Sequence, residues 1–169
     1  VDGAGNCYLT GSFYLGTGTF GNVTLTTRGG PDVFVAKYDT AGNFLWVRQG
    51  GGLGGDQGTG IVVDGSGSVF VTGSFYLSAT FEGVTLSSAN YEFFVAKYDT
   101  SGNFAWAKGG GGPYGERGLG IVVDQGENSF VTGSVGGDGN PANNNDLFVA
   151  KYDAAGNQAW FKQFGGSGG

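Results

Sequence analysis

The pentapeptide Val-Ala-Lys-Tyr-Asp occurs three times in this chain, at Val35–Asp39, Val95–Asp99 and Val149–Asp153. Each copy runs on through two small residues and Gly-Asn to a tryptophan, at Trp46, Trp106 and Trp160. Thr-Gly-Ser precedes each copy, at Thr10–Ser12, Thr72–Ser74 and Thr132–Ser134, and Val-Asp pairs open equivalent stretches at Val1, Val63 and Val123. Recurrence at a spacing of about 60 residues means an array of one supersecondary unit, in which each copy buries its apolar faces against its neighbours. The third copy is shorter between Thr-Gly-Ser and the pentapeptide, so that segment is a connection; loops absorb deletions and strands do not.

Each full copy holds four short apolar runs. In the second they are Gly60–Val63, Ser68–Phe75, Phe93–Tyr98 and Phe104–Lys108 (A to D), all rich in Val, Phe, Tyr or Trp. Such runs read as strands, and none shows helical spacing over a useful length. Phe93-Phe-Val-Ala96 is apolar on both faces, which requires a sheet covered on both sides. The A–B and C–D links carry Asp at the first turn position and Gly at the closing one, as in Asp64-Gly-Ser-Gly67 and Asp99-Thr-Ser-Gly102. Asp accepts backbone N–H bonds and Gly takes the left-handed conformation that closes a hairpin. Glu127 stands where Gly5 and Gly67 stand in the other copies; either Asn128 takes the left-handed place or that turn differs.

Four-stranded meanders covered on both faces are β-propeller blades. A parallel β-helix, with much shorter coils and no paired hairpins, is the weaker alternative. The blades are expected at residues 1–55, 56–115 and 116–169, the first lacking most of strand A. Three blades do not close a ring, since propellers carry about four to eight. The chain is thus expected to be a slice of a longer propeller or, less favoured because it leaves strand edges exposed, one of two copies forming six blades.

The string from Gly60-Ile-Val-Val-Asp64 through Val71-Thr-Gly-Ser74 to Phe94-Val-Ala-Lys-Tyr-Asp99 resembles the bacterial SBBP β-propeller repeat. Thr80–Leu86 and the trailing Gly109–Gly112 fit the same pattern. The resemblance covers essentially the whole chain and implies a secreted or cell-surface bacterial protein. The third copy departs from it, with Gly136–Asp146 in place of the Thr-Phe-Gly-Val-Thr-Leu stretch.

Several function classes are excluded or disfavoured by composition. Eight Lys and Arg against fourteen Asp and Glu, with no basic cluster, argue against nucleic acid. No stretch is long and apolar enough for a helical membrane span. The chain has no histidine, which removes the commonest general base and most zinc sites. The Asp-X-X-Gly-Asn turns lack the ligand spacing of a calcium loop, and the glycine runs lack the Gly-Lys-Ser/Thr of a phosphate loop. No cofactor, metal or catalytic residue is expected. Cys7, the single cysteine, is expected to be a small buried side chain. Lys37, Lys97 and Lys151, one per copy, are expected to pair with nearby aspartates.

The B–C and D–A connections share one end of the blades and are long and varied, so a ligand site is expected there. Asp56 and Glu116 precede strand A in glycine-rich loops; they read either as an acidic channel mouth or as turn-forming acids in solvent. Tyr76, Tyr91 and Tyr114, with Tyr14, read either as sugar-stacking rings or as covers of blade edges. No carboxylate pair stands out. The expected function is a non-enzymatic extracellular or cell-surface scaffold that binds a protein or carbohydrate through this loop face. The alternatives are a carboxylate-dependent glycan hydrolase or lyase fragment, and a structural subunit of a surface filament or layer.

Overall fold

A computed structural model describes residues 1–14, 16–112, 115–136 and 146–165. Those residues form thirteen strands and no helix. The second unit is a meander of β6 (Gln57–Val63), β7 (Val69–Phe81), β8 (Val84–Tyr98) and β9 (Phe104–Gly110). The third repeats it with β10 (Glu116–Val123), β11 (Ser129–Val135), β12 (Asp146–Tyr152) and β13 (Gln158–Phe164). The first holds β1 (Cys7–Phe13), β4 (Asp32–Tyr38) and β5 (Phe44–Gly51), paired in the same order. All pairings are antiparallel, and the three units are β-propeller-like blades. Blades one and two also touch edge to edge, where Gly50 and Gly51 of β5 pair Phe81 and Thr80 of β7.

The B–C segments differ from the loops expected of them. In blade two, β7 and β8 continue outward as one long hairpin, paired from Val69–Tyr98 to Phe81–Val84. The tip residues Glu82 and Gly83 both have positive φ, 44° and 90°, the two-residue turn that matches strand twist. In blade one the same Thr-Phe…Val-Thr-Leu sequence forms a separate hairpin, β2 (Thr17–Phe20) with β3 (Val23–Thr26). The alternation of apolar and Thr residues around a Gly-containing pair is a strand signal; its distance from the pentapeptide disguised it as a loop. The corresponding span of blade three lies mostly outside the described residues.

The Asp-headed turns repeat closely. Asp39 accepts the N–H groups of Ala41 and Asn43 at 2.9 and 2.8 Å, and the Asn43 side-chain amide at 2.8 Å. Asp99 and Asp153 hold their turns in the same way. In the third A–B turn Glu127 itself takes the left-handed conformation, φ 59°, and the Glu127 N–H still bonds the Asp124 carbonyl at 3.1 Å. A non-glycine residue there costs about 1–2 kcal/mol. Across the blade junction, Lys97 Nζ lies 2.7 Å from Glu127 Oε2, a half-exposed pair worth up to about 1 kcal/mol.

The core lies between blades. One apolar cluster joins Tyr8, Val33 and Val35 of blade one to Val69, Phe81 and Phe94 of blade two. Another joins Phe70, Phe93 and Val95 of blade two to Val131, Phe148 and Tyr152 of blade three. A ladder crosses each blade in register: Tyr8–Lys37–Trp46, Phe70–Lys97–Trp106 and Phe130–Lys151–Trp160. Each lysine ammonium sits over its aromatic neighbour, 4.9, 5.1 and 5.2 Å from the ring centroid, a cation–π contact. The expected lysine–aspartate pairing is met by Lys37 with Asp2 at 3.6 Å, whereas Lys97 reaches Glu127 instead.

The tryptophans latch one blade to the next. Trp46 Nε1 donates to the Thr100 carbonyl, and Trp106 Nε1 to the Ala154 carbonyl, both at 3.2 Å. Each indole lies against the glycine of the receiving turn. A Cβ on Gly102 would meet Trp46 at 2.8 Å, and one on Gly156 would meet Trp106 at 2.7 Å. Inner strands also pack closely: a Cβ on Gly58 would meet Thr10 Oγ1 at 2.2 Å, and one on Gly118 would meet Thr72 Oγ1 at 2.4 Å. Cys7 departs from expectation. It is half-buried, while its counterparts Val69 and Ser129 are buried, because those two pair an inner strand and among the described residues Cys7 pairs only β4.

Two stability measurements check this account. In urea titrations Gly102→Ala is expected to cost about 2–4 kcal/mol, combining left-handed strain with overpacking against Trp46. In a Trp46→Ala background the same change is expected to cost only the strain, about 1–2 kcal/mol; equal costs in both backgrounds would contradict the latch. Glu127→Ala is expected to destabilise, losing the Lys97 pair while keeping the strain. Glu127→Gly is expected to be about 1 kcal/mol more stable than the alanine variant.

Candidate functional site at the loop-bearing end

Three blades meet in a small recess where the inner strands begin. It holds about 140 Å³, room for about four or five waters. Blade one contributes Tyr14; blade two contributes Asp56, Gln57, Ser74 and Tyr91; blade three contributes Arg117. Tyr14 follows the last residue of β1 and is 60% exposed. Tyr91 lies on β8 directly across from Tyr76 on β7, their ring centroids 5.1 Å apart. The Arg117 guanidinium covers the Tyr91 ring at 4.3 Å from its centroid. Tyr91 is thus flanked by Tyr76 and Arg117, which makes it a support that aims the arginine. The freely exposed ring of the recess is Tyr14.

The structure therefore gathers Asp56, Tyr76 and Tyr91 in one place. Glu116 sits at the next blade junction, beside Arg117 in sequence but buried away from the recess floor. Tyr114 lies outside the described residues. Arg117 carried no sequence signal as a site residue, because its role depends on the register that sets β10 beside β8. Its position directly after an acidic residue at the start of a strand A was the available hint.

Asp56 and Glu116 are not solvent acids. Both are 1% exposed, and each folds back onto the glycine loop before it. The Gly52 N–H donates to Asp56 Oδ2 at 2.8 Å, and the Gly112 N–H to Glu116 Oε1 at 2.7 Å. Their backbones begin strand A, so the carboxylates close the D–A loop as they enter the blade junction.

A carboxylate pair does stand out in space, contrary to the reading of the sequence. Asp32, at the start of β4, is fully buried and accepts from the Arg28 N–H at 3.2 Å and from the Gln49 side-chain amide. Its carboxyl lies against Gly51, and Asp56 caps the adjoining Gly52. Blade two has a related arrangement: half-buried Glu92 lies against Gly109 and buried Glu116 against Gly111. Side chains at these glycines would collide with the acids. The pairs are far apart in sequence, and only the blade junction brings them to one glycine strip.

Burial sets their titration. Desolvation pushes Asp56 up to about 7, with a smaller push from Asp32 and opposing pulls from the Gly52 N–H and Arg28. Desolvation also raises Asp32 and Glu92. The turn aspartates go the other way: the Asn43 side chain holds Asp39 below the usual range, and Asn157 does the same for Asp153. Among the described residues no cluster of three or more His, Cys, Asp or Glu forms a metal site, and no helix is long and apolar enough to cross a membrane.

Comparison with known proteins agrees with this architecture. Residues 45–74 match the family model described as SBBP, beta-propeller repeat. The chain carries an SBBP-type β-propeller repeat. The matched SBBP stretch runs from the latch strand β5 through β6 into Thr-Gly-Ser, across the first blade junction. Over 144 residues the chain is 30% identical to the Regulatory protein FlaEY of Caulobacter vibrioides, covering 77% of this chain and 15% of that one. It is 26% identical over 176 residues to the Uncharacterized WD repeat-containing protein L264 of Acanthamoeba polyphaga mimivirus, covering 85% and 12%. The chain thus spans less than a sixth of the length of either relative. One relative is bacterial and the other viral. The chain is a repeat scaffold.

The buried acids give a pH signature. Asp56 titrates near 7 when folded and near 3.8 when unfolded, so the folded state binds more protons between those values. Stability is expected to rise as pH falls from about 7 toward 4 and to be lowest above 7. The turn aspartates, with lowered values, oppose this only at still lower pH. Asp56→Asn, which keeps an acceptor for the Gly52 N–H, is expected to remove most of that slope and to be at least as stable as wild type at pH 8. Thermal melts at fixed ionic strength check this; an unchanged slope in the variant would count against it.

Proposed function

We propose that this chain is a non-enzymatic scaffold, at the cell surface or outside the cell, that holds a protein or glycan partner on its loop-bearing face. The observation that carries this reading is the recess itself. Blade one supplies an exposed aromatic ring, Tyr14, and blade three an arginine, Arg117, aimed by Tyr91. An open ring beside a fixed, planar donor set suits a partner that offers an apolar face and hydrogen-bond acceptors, as sugars and carboxylate-bearing side chains do. The recess seats one such group, and the rest of the partner lies across the B–C hairpins.

Buried Asp32 and Asp56 also support a competing reading, a carboxylate-dependent hydrolase or lyase. One acid protonated near neutrality beside another is the pattern of acid–base pairs. Against it, Asp32 is fully buried, and Asp56, at the edge of the recess, is 1% exposed with one carboxylate oxygen held by the Gly52 N–H. Their role fits the junction better than chemistry.

The test is a binding screen of the full chain against neutral and uronic-acid oligosaccharides and acidic peptides, followed by titration calorimetry. Tyr14→Ala and Arg117→Ala are each expected to weaken a hit roughly tenfold or more, with no turnover of the ligand. Turnover that disappears in Asp56→Asn would establish the hydrolase reading, and binding indifferent to both Tyr14 and Arg117 would remove the recess from the account.

A further inference from the structure

A second cavity, of about 690 Å³, lies between blades one and two, within the roughly 300–1,000 Å³ of small-ligand sites. Blade one lines it with Arg28 and Arg48, and blade two with Glu82 of the hairpin tip and Asn103 and Phe104 of the C–D turn. It shares no residue with the recess at the loop-bearing end. Two of the three arginines of an acidic chain therefore meet in one groove. The repeat does not require them there. Blade two has Lys108 where blade one has Arg48, and Ser88-Ala89 where blade one has Thr27-Arg28. Glu82 stands where blade one has Gly21, and both are left-handed, with φ of 44° and 57°. Glycine holds such a place without strain, and a strained side chain kept at a cavity wall points to a role for that side chain.

Both guanidiniums are braced by backbone carbonyls. Arg28 Nη1 donates to Gly51 at 3.1 Å and to Thr80 at 2.9 Å. Arg48 Nε donates to Gly102 at 2.7 Å and its Nη1 to Val47 at 2.9 Å. Carbonyls fix the forks without neutralising them. Among the described residues the ion pairs are made by Lys37 and Lys97, and no acceptor engages Arg28 Nε and Nη2 or Arg48 Nη2. Asn103 spends its side-chain amide N–H on Asp99 at 2.7 Å, which leaves its side-chain oxygen to accept. Behind Phe104 lies Tyr98, fully buried, with ring centroids 5.8 Å apart. The Tyr98 hydroxyl has no hydrogen-bond partner among the described residues. Its counterpart Tyr152 meets Gln158 at 3.4 Å, and Phe104 holds the place of Gln158 in blade two. A buried hydroxyl beside the groove is thus a polar group that the fold itself leaves unmatched.

We propose that this groove binds a uronic-acid oligosaccharide, its carboxylates on the open edges of Arg28 and Arg48 and its hydroxyls on Glu82 and Asn103. Fixed planar donors match carboxylates. Glu82 decides among anions: it accepts hydroxyls and repels a dianion, which disfavours phosphate and sulfate. Phe104 offers an apolar flank to a sugar ring. The site goes beyond the recess and stands independently of it, because it draws on other residues at another place.

The test is titration calorimetry of the full chain with a galacturonic-acid trimer, the matching neutral galactose trimer, inorganic phosphate and a glutamate-rich peptide. The acidic trimer is expected to bind roughly tenfold or more tighter than the neutral one. Arg28→Gln and Arg48→Lys are each expected to weaken it roughly tenfold; the lysine keeps the charge, so its loss reports the planar fork. Circular dichroism confirms that each variant keeps its strands. Both arginines also brace the junction, so Glu82→Gln gives a second reading that leaves their carbonyl contacts in place. It is expected to raise the affinity for inorganic phosphate severalfold by removing a like charge. Equal affinity for the acidic and neutral trimers, or no binding of the acidic trimer at millimolar concentration, would overturn the inference. Binding of the acidic trimer untouched by both arginine changes would do the same. So would phosphate or the peptide binding more tightly than the trimer, which would make the groove a general anion or peptide site.

Discussion

The structure depends on sheets that are apolar on both faces. A blade such as β6–β9 has no solvent side, so it is stable only between two neighbours, and the junction between blades is the true core. The tryptophan latch makes that junction specific. An indole pushed against a glycine turn buries a large apolar surface, and its single donor fixes which carbonyl it lies beneath. A side chain on that glycine, or a smaller ring in place of the indole, would leave the blades free to slide.

Space at the junction is allotted to glycine for reasons that differ along the blade. Near the axis, Gly58 and Gly118 admit the hydroxyls of Thr10 and Thr72 from the preceding blade. At the loop end, Gly51 and Gly111 admit the carboxyls of Asp32 and Glu116. The high glycine content is therefore a packing requirement of radially stacked sheets, and the acids it accommodates shape the end at which the recess forms. Asp56 enters the recess because its backbone must turn from the D–A loop into the inner strand, and capping Gly52 completes that turn.

The candidate site is a product of three blades and of no single one. Tyr14, Tyr91 and Arg117 come from separate repeats, and Arg117 is held by a ring from the neighbouring sheet. That arrangement suits recognition, because the repeated frame fixes geometry while the residues at its end vary from blade to blade. The buried Asp32 and Asp56 lie behind it and tie the protonation state of the junction to the same end of the molecule.

Much of the fold was legible in the sequence. Val-Ala-Lys-Tyr-Asp and Thr-Gly-Ser mark strands C and B, and Asp with Gly marks the turns, because strand and turn chemistry act over a few residues. The B–C hairpins were half-legible: Thr80–Thr85 alternates as a strand should, but whether it pairs with itself or continues β7 depends on the neighbouring blade. Glu127 in a glycine place was visible as an anomaly, yet its partner Lys97 lies in another repeat. Periodicity alone determined that equivalent β-sheets stack, since local hydrogen bonding and apolar alternation are written residue by residue. The tertiary structure alone decided that Asp32 lies near Asp56 and that Arg117 covers Tyr91. Those contacts join different blades, and only the angle and register of packing bring them together.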